Sequence, residues 1–385
     1  LAWIIVRRAR SLQRAMLLLN LIFIVCLGLD GVLLTATYIH PPANKFSIFS
    51  SAQPVPAIPR TDKPDIYLLI FDEYGSSLSL QQNYGYHNDL DAWLLQQGFR
   101  VQTQSFSNYN YTPASVASIL NMSFIKGIKD STLLTGKDMN YCLQLTRDNK
   151  VIDFLSREGY EIVNCSFFDL AKKPTIVEDP LLPVRTKLIT ANTLWSKISS
   201  DLGWMFYFGP LRISWLADKG TYTTQQFNAR LLQMIKTQSS KKQSHPVFVY
   251  GHLFMPHDPY FYDKNGHLKS EQTLRQEVKR PAGPYLEYLT YVNAEIRKLI
   301  DTIQQNTQRK AAIVLMGDHG YRRLIEQNLH CNYQNLNAVY LPSQDYHLFY
   351  DSVSAVNQFK IVFNSLFQQS IPLLKDSTIF LTGKQ

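Results

Sequence analysis

An acidic pair, Asp72-Glu73, follows directly on the apolar run Ile66–Phe71. Adjacent carboxylates at the end of a strand-length run suit a hard or borderline cation, or form no more than a solvated acidic turn. Thr112-Pro113-Ala-Ser115 then sets a hydroxyl where a helix should begin, with Thr112 as the N-cap and Pro113 as the first helical residue. A hydroxyl there lies beside free backbone N–H groups that hold phosphate or sulfate; most such threonines are caps and nothing else. His252 and His257 follow a second apolar run and are fixed among prolines, which suits oxyanion or metal contact as well as a structural role. A third run, Ala311–Met316, ends in Gly317-Asp318-His319-Gly320. Acid plus imidazole at a strand end is half a site for zinc or manganese.

Each motif is weak alone, and what joins them is the elements that must carry them. Ile66–Phe71 and Ala311–Met316 are apolar throughout, and Pro246–Leu253 is so but for His252, as strands buried on both faces of a parallel sheet are. Further strand patterns cover 99–106 and 161–165, and helical ones cover 88–97, 151–157, 224–237 and 284–305. A closing strand or two and a helix around 353–367 complete the chain. The alternation predicts an α/β fold with a central, mostly parallel sheet flanked by helices. Ligands of such sheets bind off the carboxyl ends of the strands, so the acidic pair, the threonine and the Asp-His pair should meet in one cleft. The chemistry that needs this set is attack by a hydroxyl on a tetrahedral anion. A cation lowers the hydroxyl pKa and offsets charge, while imidazoles steady the oxygens and protonate the leaving group.

In order and spacing the chain resembles the alkaline phosphatase/sulfatase superfamily, in particular its membrane-anchored branch of lipoteichoic acid synthases and phosphoethanolamine transferases. The resemblance runs from about Asp65 to the C-terminus, with apolar helices upstream. It implies an alkaline-phosphatase-like sandwich in which Thr112 is the nucleophile. It also implies that Glu73, Thr112, Asp318 and His319 bind a divalent metal ion, zinc or manganese, with Asp72 as a ligand of a second ion. His257, in Pro-His-Asp-Pro-Tyr, matches a substrate-contacting histidine, and His330, twelve residues after Asp318, matches another. The implied reaction moves a phosphoglycerol or phosphoethanolamine group from a phospholipid donor, through phospho-threonine, to an envelope glycan or glycolipid.

Hydrolysis by a phosphodiesterase, phosphatase or sulfuric ester hydrolase is the alternative within the superfamily. An inactive extracellular binding module is the alternative outside it, and the complete ligand set argues against that. Two departures narrow the choice. Thr112-Pro-Ala-Ser115 has neither the Cys or Ser that sulfatases convert to formylglycine nor their signature Arg, which counts against sulfate esters. The multi-disulfide pattern of phosphoethanolamine transferases is also missing, which bears on the headgroup but not on phosphotransfer.

With 385 residues, 45% hydrophobic and 18% charged, the chain reads as globular with some membrane character. Its net charge of +9 is scattered, without the basic run of a nucleic-acid arm, and suits anionic lipid better. Residues 1–14 read as the end of an upstream apolar helix followed by a basic loop with Arg7, Arg8, Arg10 and Arg14. Met16–Ile39 is almost unbroken in apolar residues and would span ~36 Å as a helix, so 15–39 is expected to cross the membrane. Arginines stay in the cytoplasm, which puts everything after His40 on the outer side of a multi-pass inner-membrane protein. Asp30, inside the span, is expected to pack against other helices. Residues 40–64 form a Pro-rich linker, and 65–385 the catalytic domain. The aromatic stretch Thr186–Leu216 is expected in the core, at the substrate cleft as acceptor contact, or on a surface resting in the lipid headgroup region. Cys142, Cys165 and Cys331 allow one disulfide or remain core thiols.

Overall fold

The run Ile66–Phe71 is the central strand, and all six of its side chains are fully buried. The computed structural model describes residues 12–39, 63–170, 173–175, 214–277, 282–322 and 329–382. The chain divides into two compact units, Leu1–Ser47 and Ile48–Gln385. The first contains helix α1 (Leu12–Ile39), 28 residues long. Its side chains are described at 16–29 and 31–32, where all are exposed. Among the described residues no helix is long and apolar enough to cross a membrane, so the expected crossing is not shown. Nearly all of the expected linker and of the stretch 186–216 lies outside the described residues.

In chain order the second unit begins with β1 (Ile66–Phe71), α2 (Ser77–Tyr84), α3 (Leu90–Gln96), β2 (Arg100–Val101) and α4 (Thr112–Asn121). Then come β3 (Thr132–Leu133), α5 (Gly136–Arg147), α6 (Lys150–Arg157), β4 (Glu161–Cys165), α7 (Ser214–Ser239) and β5 (Val247–Leu253). It continues with α8 (Glu271–Glu277), α9 (Ala282–Asn306), β6 (Ala312–Gly317), a 3-10 turn (Leu329–Asn332), β7 (Asn337–Tyr340), α10 (Ala355–Phe367) and β8 (Leu381–Thr382). The main sheet has the order β2-β7-β6-β1-β5-β4. β1 is parallel to β5 and β6, and β4 is parallel to β5, whereas β7 and β2 close the other edge antiparallel. This is the expected mostly parallel sheet.

Alternate side chains of β1 enter two cores. Tyr67, Leu69 and Phe71 pack with Ile235 of α7 and Val292 and Ile296 of α9. Ile66, Leu68 and Ile70 pack with Val116 of α4, Leu155 of α6 and Phe359 and Phe363 of α10. Full burial of each such side chain contributes about 1.5–3 kcal/mol. The three central strands therefore form a rigid platform whose ends cannot drift.

Several sequence expectations change. The strand over 99–106 shrinks to β2, because Gln102 still pairs with Asn337 but Ser105 N turns back to the Gln102 carbonyl. α2 was not expected; Ser76 caps it, and Gly85 at φ +63 ends it. α7 is longer than the pattern over 224–237. All four cysteines are free, so no disulfide forms.

The chain segment before α4 is fastened by the end of the chain. Asn108 Nδ2 donates to Ser377 O at 2.8 Å, and Ile379 N donates to Asn108 O at 2.8 Å. Asn110 exchanges two hydrogen bonds with the Leu381 backbone, at 3.0 and 2.8 Å, and β8 then pairs with β3.

Candidate active site

β1, β5 and β6 stop level with one another, Phe71 standing opposite both Leu253 and Gly317. Asp72-Glu73 and Asp318-His319 therefore emerge side by side, with His252 one residue short of the end of β5. The turn after β1 is forced. Glu73 adopts φ 63, a left-handed conformation that costs a non-glycine residue about 1–2 kcal/mol. Three bonds hold it there: its N–H donates to Asp318 Oδ1 at 3.0 Å, Tyr285 Oη donates to its carbonyl at 2.9 Å, and the Arg322 N–H donates to its Oε1 at 3.1 Å.

The glycines beside Asp318 and His319 are steric necessities. A Cβ on Gly317 would lie 2.5 Å from the Tyr74 carbonyl oxygen, and one on Gly320 would lie 2.0 Å from that of Cys331. α4 reaches the same place because Ser115 Oγ donates to the Asp318 carbonyl. Its cap differs from the expectation by one residue. Tyr111 is the N-cap, extended at φ −128 and ψ 130, and its carbonyl accepts from Ser115 N, so Thr112 is already helical. The Thr112 hydroxyl is thus not used as a cap. It lies 3.2 Å from His319 Nε2.

His319 is fully buried, and its Nδ1–H donates to the Gly320 carbonyl at 2.8 Å, which leaves the Nε2 lone pair facing inward. Nε2 is 3.3 Å from Asp318 Oδ2 and 3.8 Å from Asp72 Oδ1. Burial, then the Arg322 charge, keep this imidazole well below its usual pKa and neutral. His252 is similar: Tyr250 Oη shares a 2.9 Å bond with Nδ1, and burial lowers its pKa to about 4. The Asp72 carboxyl is pushed well above the carboxylate range, first by burial and then by Asp318.

Four buried polar atoms in this cluster have no hydrogen-bond partner: Asp72 Oδ1, Glu73 Oε2, Asp318 Oδ2 and His252 Nε2. Leaving carboxylate oxygens buried and unpaired costs several kcal/mol, roughly, unless a cation takes them. One ligand atom from each of Asp72, His252 and Asp318 falls within 4.8 Å of the others, and the same holds for Glu73, His257 and Asp258. The donors are carboxylate oxygens and imidazole nitrogens, the set that a divalent ion such as zinc or manganese takes. The residues fit a metal.

His257 lies at the rim, its Nδ1 2.8 Å from the Asp258 carbonyl and its Nε2 3.9 Å from Glu73 Oε2. Burial pulls its pKa down, but Glu73, Asp72 and Asp258 outweigh that and hold it above the usual histidine value. Arg322 closes the cluster on the same side. Its Nη1 donates to Asn110 O at 3.3 Å, Nη2 is 3.5 Å from His257 Nε2, and the guanidinium lies over the Tyr111 ring.

The structure thus places Asp72, Glu73, Thr112, His257, Asp318 and His319 near one another. His330 is exposed in the 3-10 turn. Sequence reasoning gave His252 little weight and passed over Arg322, Asp258 and Tyr285. His252 is hidden inside an apolar strand, and only its place one residue from the strand end marks it. Asp258 stands next to a singled-out histidine and could have been read with it.

Comparison with known protein families matches residues 71–352 to the sulfatase family. The chain belongs to that family, within the alkaline phosphatase/sulfatase superfamily. No curated protein matches the chain by sequence. Among solved structures it is similar to the zinc complex of the C-terminal periplasmic domain of EcEptC from Escherichia coli, at 12% identity and TM-score 0.48, covering 84% of this chain and 85% of that one. It is similar to a putative sulfatase from Bacteroides fragilis at 12% identity and TM-score 0.49, covering 84% and 78%. The phosphonate monoester hydrolase of Agrobacterium radiobacter has 12% identity and TM-score 0.47, covering 79% and 74%. At these values the likenesses assign no activity.

Proposed function

We propose that the chain is a metal-dependent phosphotransferase that moves a phosphoglycerol or phosphoethanolamine group from a phospholipid to an envelope glycan or glycolipid by way of Thr112. The observation that carries this reading is the uncapped Thr112 hydroxyl, 3.2 Å from His319 Nε2 and beside buried carboxylate oxygens that lack partners. Glu73, Asp318, His319 and Thr112 would hold a divalent ion, with Asp72 and His252 next to them. Bound there, the ion would depress the hydroxyl pKa and offset charge on the transferring group.

The Thr112 proton leaves to solvent and Oγ1 attacks phosphorus, forming the Oγ–P bond as the P–O bond to the donor glycerol breaks. His257, with its raised pKa, gives the proton that the departing alkoxide needs. In the second half the acceptor hydroxyl forms a bond to phosphorus, its proton returns to His257, and the Thr112 Oγ–P bond breaks, the Thr112 oxygen regaining its proton from solvent. His330, exposed in the 3-10 turn, would help to steady the transferring phosphate. A threonine nucleophile, in place of a residue convertible to formylglycine, favours phosphate over sulfate esters.

The same proposal seats the protein in the inner membrane with the catalytic unit outside. It is supported by the arginines at 7, 8, 10 and 14 and by α1, whose large apolar side chains from Met16 to Val32 are 51–72% exposed.

Intact mass of metal-loaded protein after incubation with mixed phospholipids tests the mechanism. An adduct of phosphoglycerol or phosphoethanolamine mass, absent in Thr112→Ala, is expected. A Thr112→Ala protein that still consumed phospholipid would end this reading.

A further inference from the structure

We propose that the cleft between α7 and the carboxyl ends of β4 and β5 seats a sugar ring, and that the acceptor meets His257 from there. Its use as the acceptor seat rests on the phosphotransfer reading, whereas the binding of a sugar does not.

Three phenylalanines line this cleft: Phe254 directly after β5, Phe167 two residues after β4, and Phe227 on α7. All three are half-buried, so folding leaves part of each ring uncovered. The two at the strand ends are pinned. Asn228 of α7 donates from Nδ2 to Phe254 O at 2.8 Å and accepts from Phe254 N at 2.8 Å. Phe168, next to Phe167, accepts from Asn164 Nδ2 at 2.8 Å and donates its N–H to Ser166 Oγ at 3.1 Å. The Phe167 and Phe254 rings meet nearly edge to face, 5.9 Å between centroids. Phe254 lies against the His257 imidazole at 4.3 Å, and Phe167 against that of His252 at 4.6 Å. The rings are therefore held in place, and one of them touches the proposed proton carrier.

The lining selects the occupant. Beside the rings the described lining includes Thr224, Gln226 and Arg230, with no carboxylate. A pyranose has an apolar face of C–H groups and an edge of hydroxyls, which match the rings and these polar side chains in turn. An acyl chain would strip water from the hydroxyl, amide and guanidinium without replacing their hydrogen bonds. A chain of glycerol phosphates would call for more cations than Arg230 alone. The cleft volume of about 420 Å³ lies at the small end of the ~300–1,000 Å³ of small-molecule sites, room for a short saccharide. In the proposed reaction the acceptor hydroxyl gives its proton to His257. A sugar whose hydroxyl reaches that imidazole extends across Phe254 and into the cleft.

Methyl glucoside, methyl galactoside and methyl N-acetylglucosaminide are the probes. Each is titrated into the metal-loaded full-length chain, held in a sugar-free amine-oxide detergent, and read by saturation-transfer NMR. At least one should bind, with saturation strongest on the C–H protons of one ring face. Phe227→Leu keeps apolar bulk but removes the flat ring, and Thr224→Val keeps the shape but removes the hydroxyl. Each should weaken binding about 3- to 10-fold at unchanged metal content. Phe227→Tyr restores a ring and should bind as wild type does, which separates loss of the ring face from loss of the fold. Failure of the wild type to bind any of the three sugars overturns the proposal. So does wild-type affinity in both Phe227→Leu and Thr224→Val, and so does tighter binding of glycerol phosphate or of a short-chain acylglycerol than of every sugar. A phospholipid-derived adduct on Thr112 without sugar binding overturns the cleft and leaves phosphotransfer standing. Sugar binding that depends on Phe227, with no adduct on Thr112, upholds the cleft and removes the phosphotransfer reading instead.

Discussion

The Glu73 N–H donates to Asp318 Oδ1 at 3.0 Å, so one strand-end carboxylate fixes the strained backbone of the other. Tyr285 completes this clamp by donating to Glu73 O at 2.9 Å and accepting from Gly75 N at 3.2 Å. Tyr285→Phe keeps the stacking on Tyr321 and removes only the hydroxyl. It should lower metal affinity about tenfold and stability by about 1–3 kcal/mol. Metal titration and denaturant melts check this; unchanged metal affinity would show that Glu73 holds its conformation without Tyr285.

Asp72 makes the metal-free protein sensitive to pH. Burial and Asp318 raise its pKa, so the folded state holds the proton more tightly than the unfolded chain does. Through Asp72, stability of the metal-free protein should therefore fall as pH rises from about 4 through the raised pKa, whereas His252 and His319, kept neutral by burial, add stability as pH rises towards about 6.5. Metal binding must displace the same proton and should strengthen over that window. Asp72→Asn should remove the falling contribution and weaken metal binding. Thermal melts of both proteins in chelator from about pH 4 to about pH 8 are the check, and identical pH dependence in the two would contradict the assignment.

Two glycines should respond in opposite ways to alanine. At Gly320 a Cβ meets backbone oxygens of Cys331 and Gln334 at 2.0 and 2.7 Å, and neither can swing aside. Gly320→Ala should cost about 3 kcal/mol or more and abolish activity. At Gly136, the first residue of α5, nothing lies within 4 Å, so Gly136→Ala should be neutral or stabilising by up to about 1 kcal/mol. Equal melting temperatures for the two variants would refute the contrast.

Cys142 and Cys165 should resist alkylation in the folded protein. Burial raises both thiols to about 12, so at pH 8 only about one in ten thousand is thiolate. Mass spectrometry after iodoacetamide should find both unmodified until denaturant is added. Fast labelling under native conditions would show that these cores open.

The chemistry at the strand ends was legible because an apolar run buried on both faces has to stop where the sheet meets solvent. A carboxylate or imidazole at such a stop needs a reason. Ile66–Phe71 before Asp72 and Ala312–Met316 before Gly317-Asp318 show the pattern plainly. What stayed hidden depends on tertiary contact. His252 looks like another residue of an apolar strand until its Nε2 is seen to lack a partner. Arg322 belongs to no periodic element, and its meaning comes from Asn110, more than two hundred residues earlier. The one-residue shift of the α4 cap changed the role of Thr112 from cap to a hydroxyl facing His319 Nε2, and propensity cannot resolve a boundary that finely. His330 rested on resemblance alone, and the fold leaves it exposed.

The fastening of Asn108 and Asn110 to residues 377–381 sets an order of events during synthesis. Asn110 and its partner Leu381 are 271 positions apart, so the segment before Thr112 gains this fastening only after nearly all of the described chain has emerged. A nascent or prematurely ended chain would lack it while its core strands were already able to assemble.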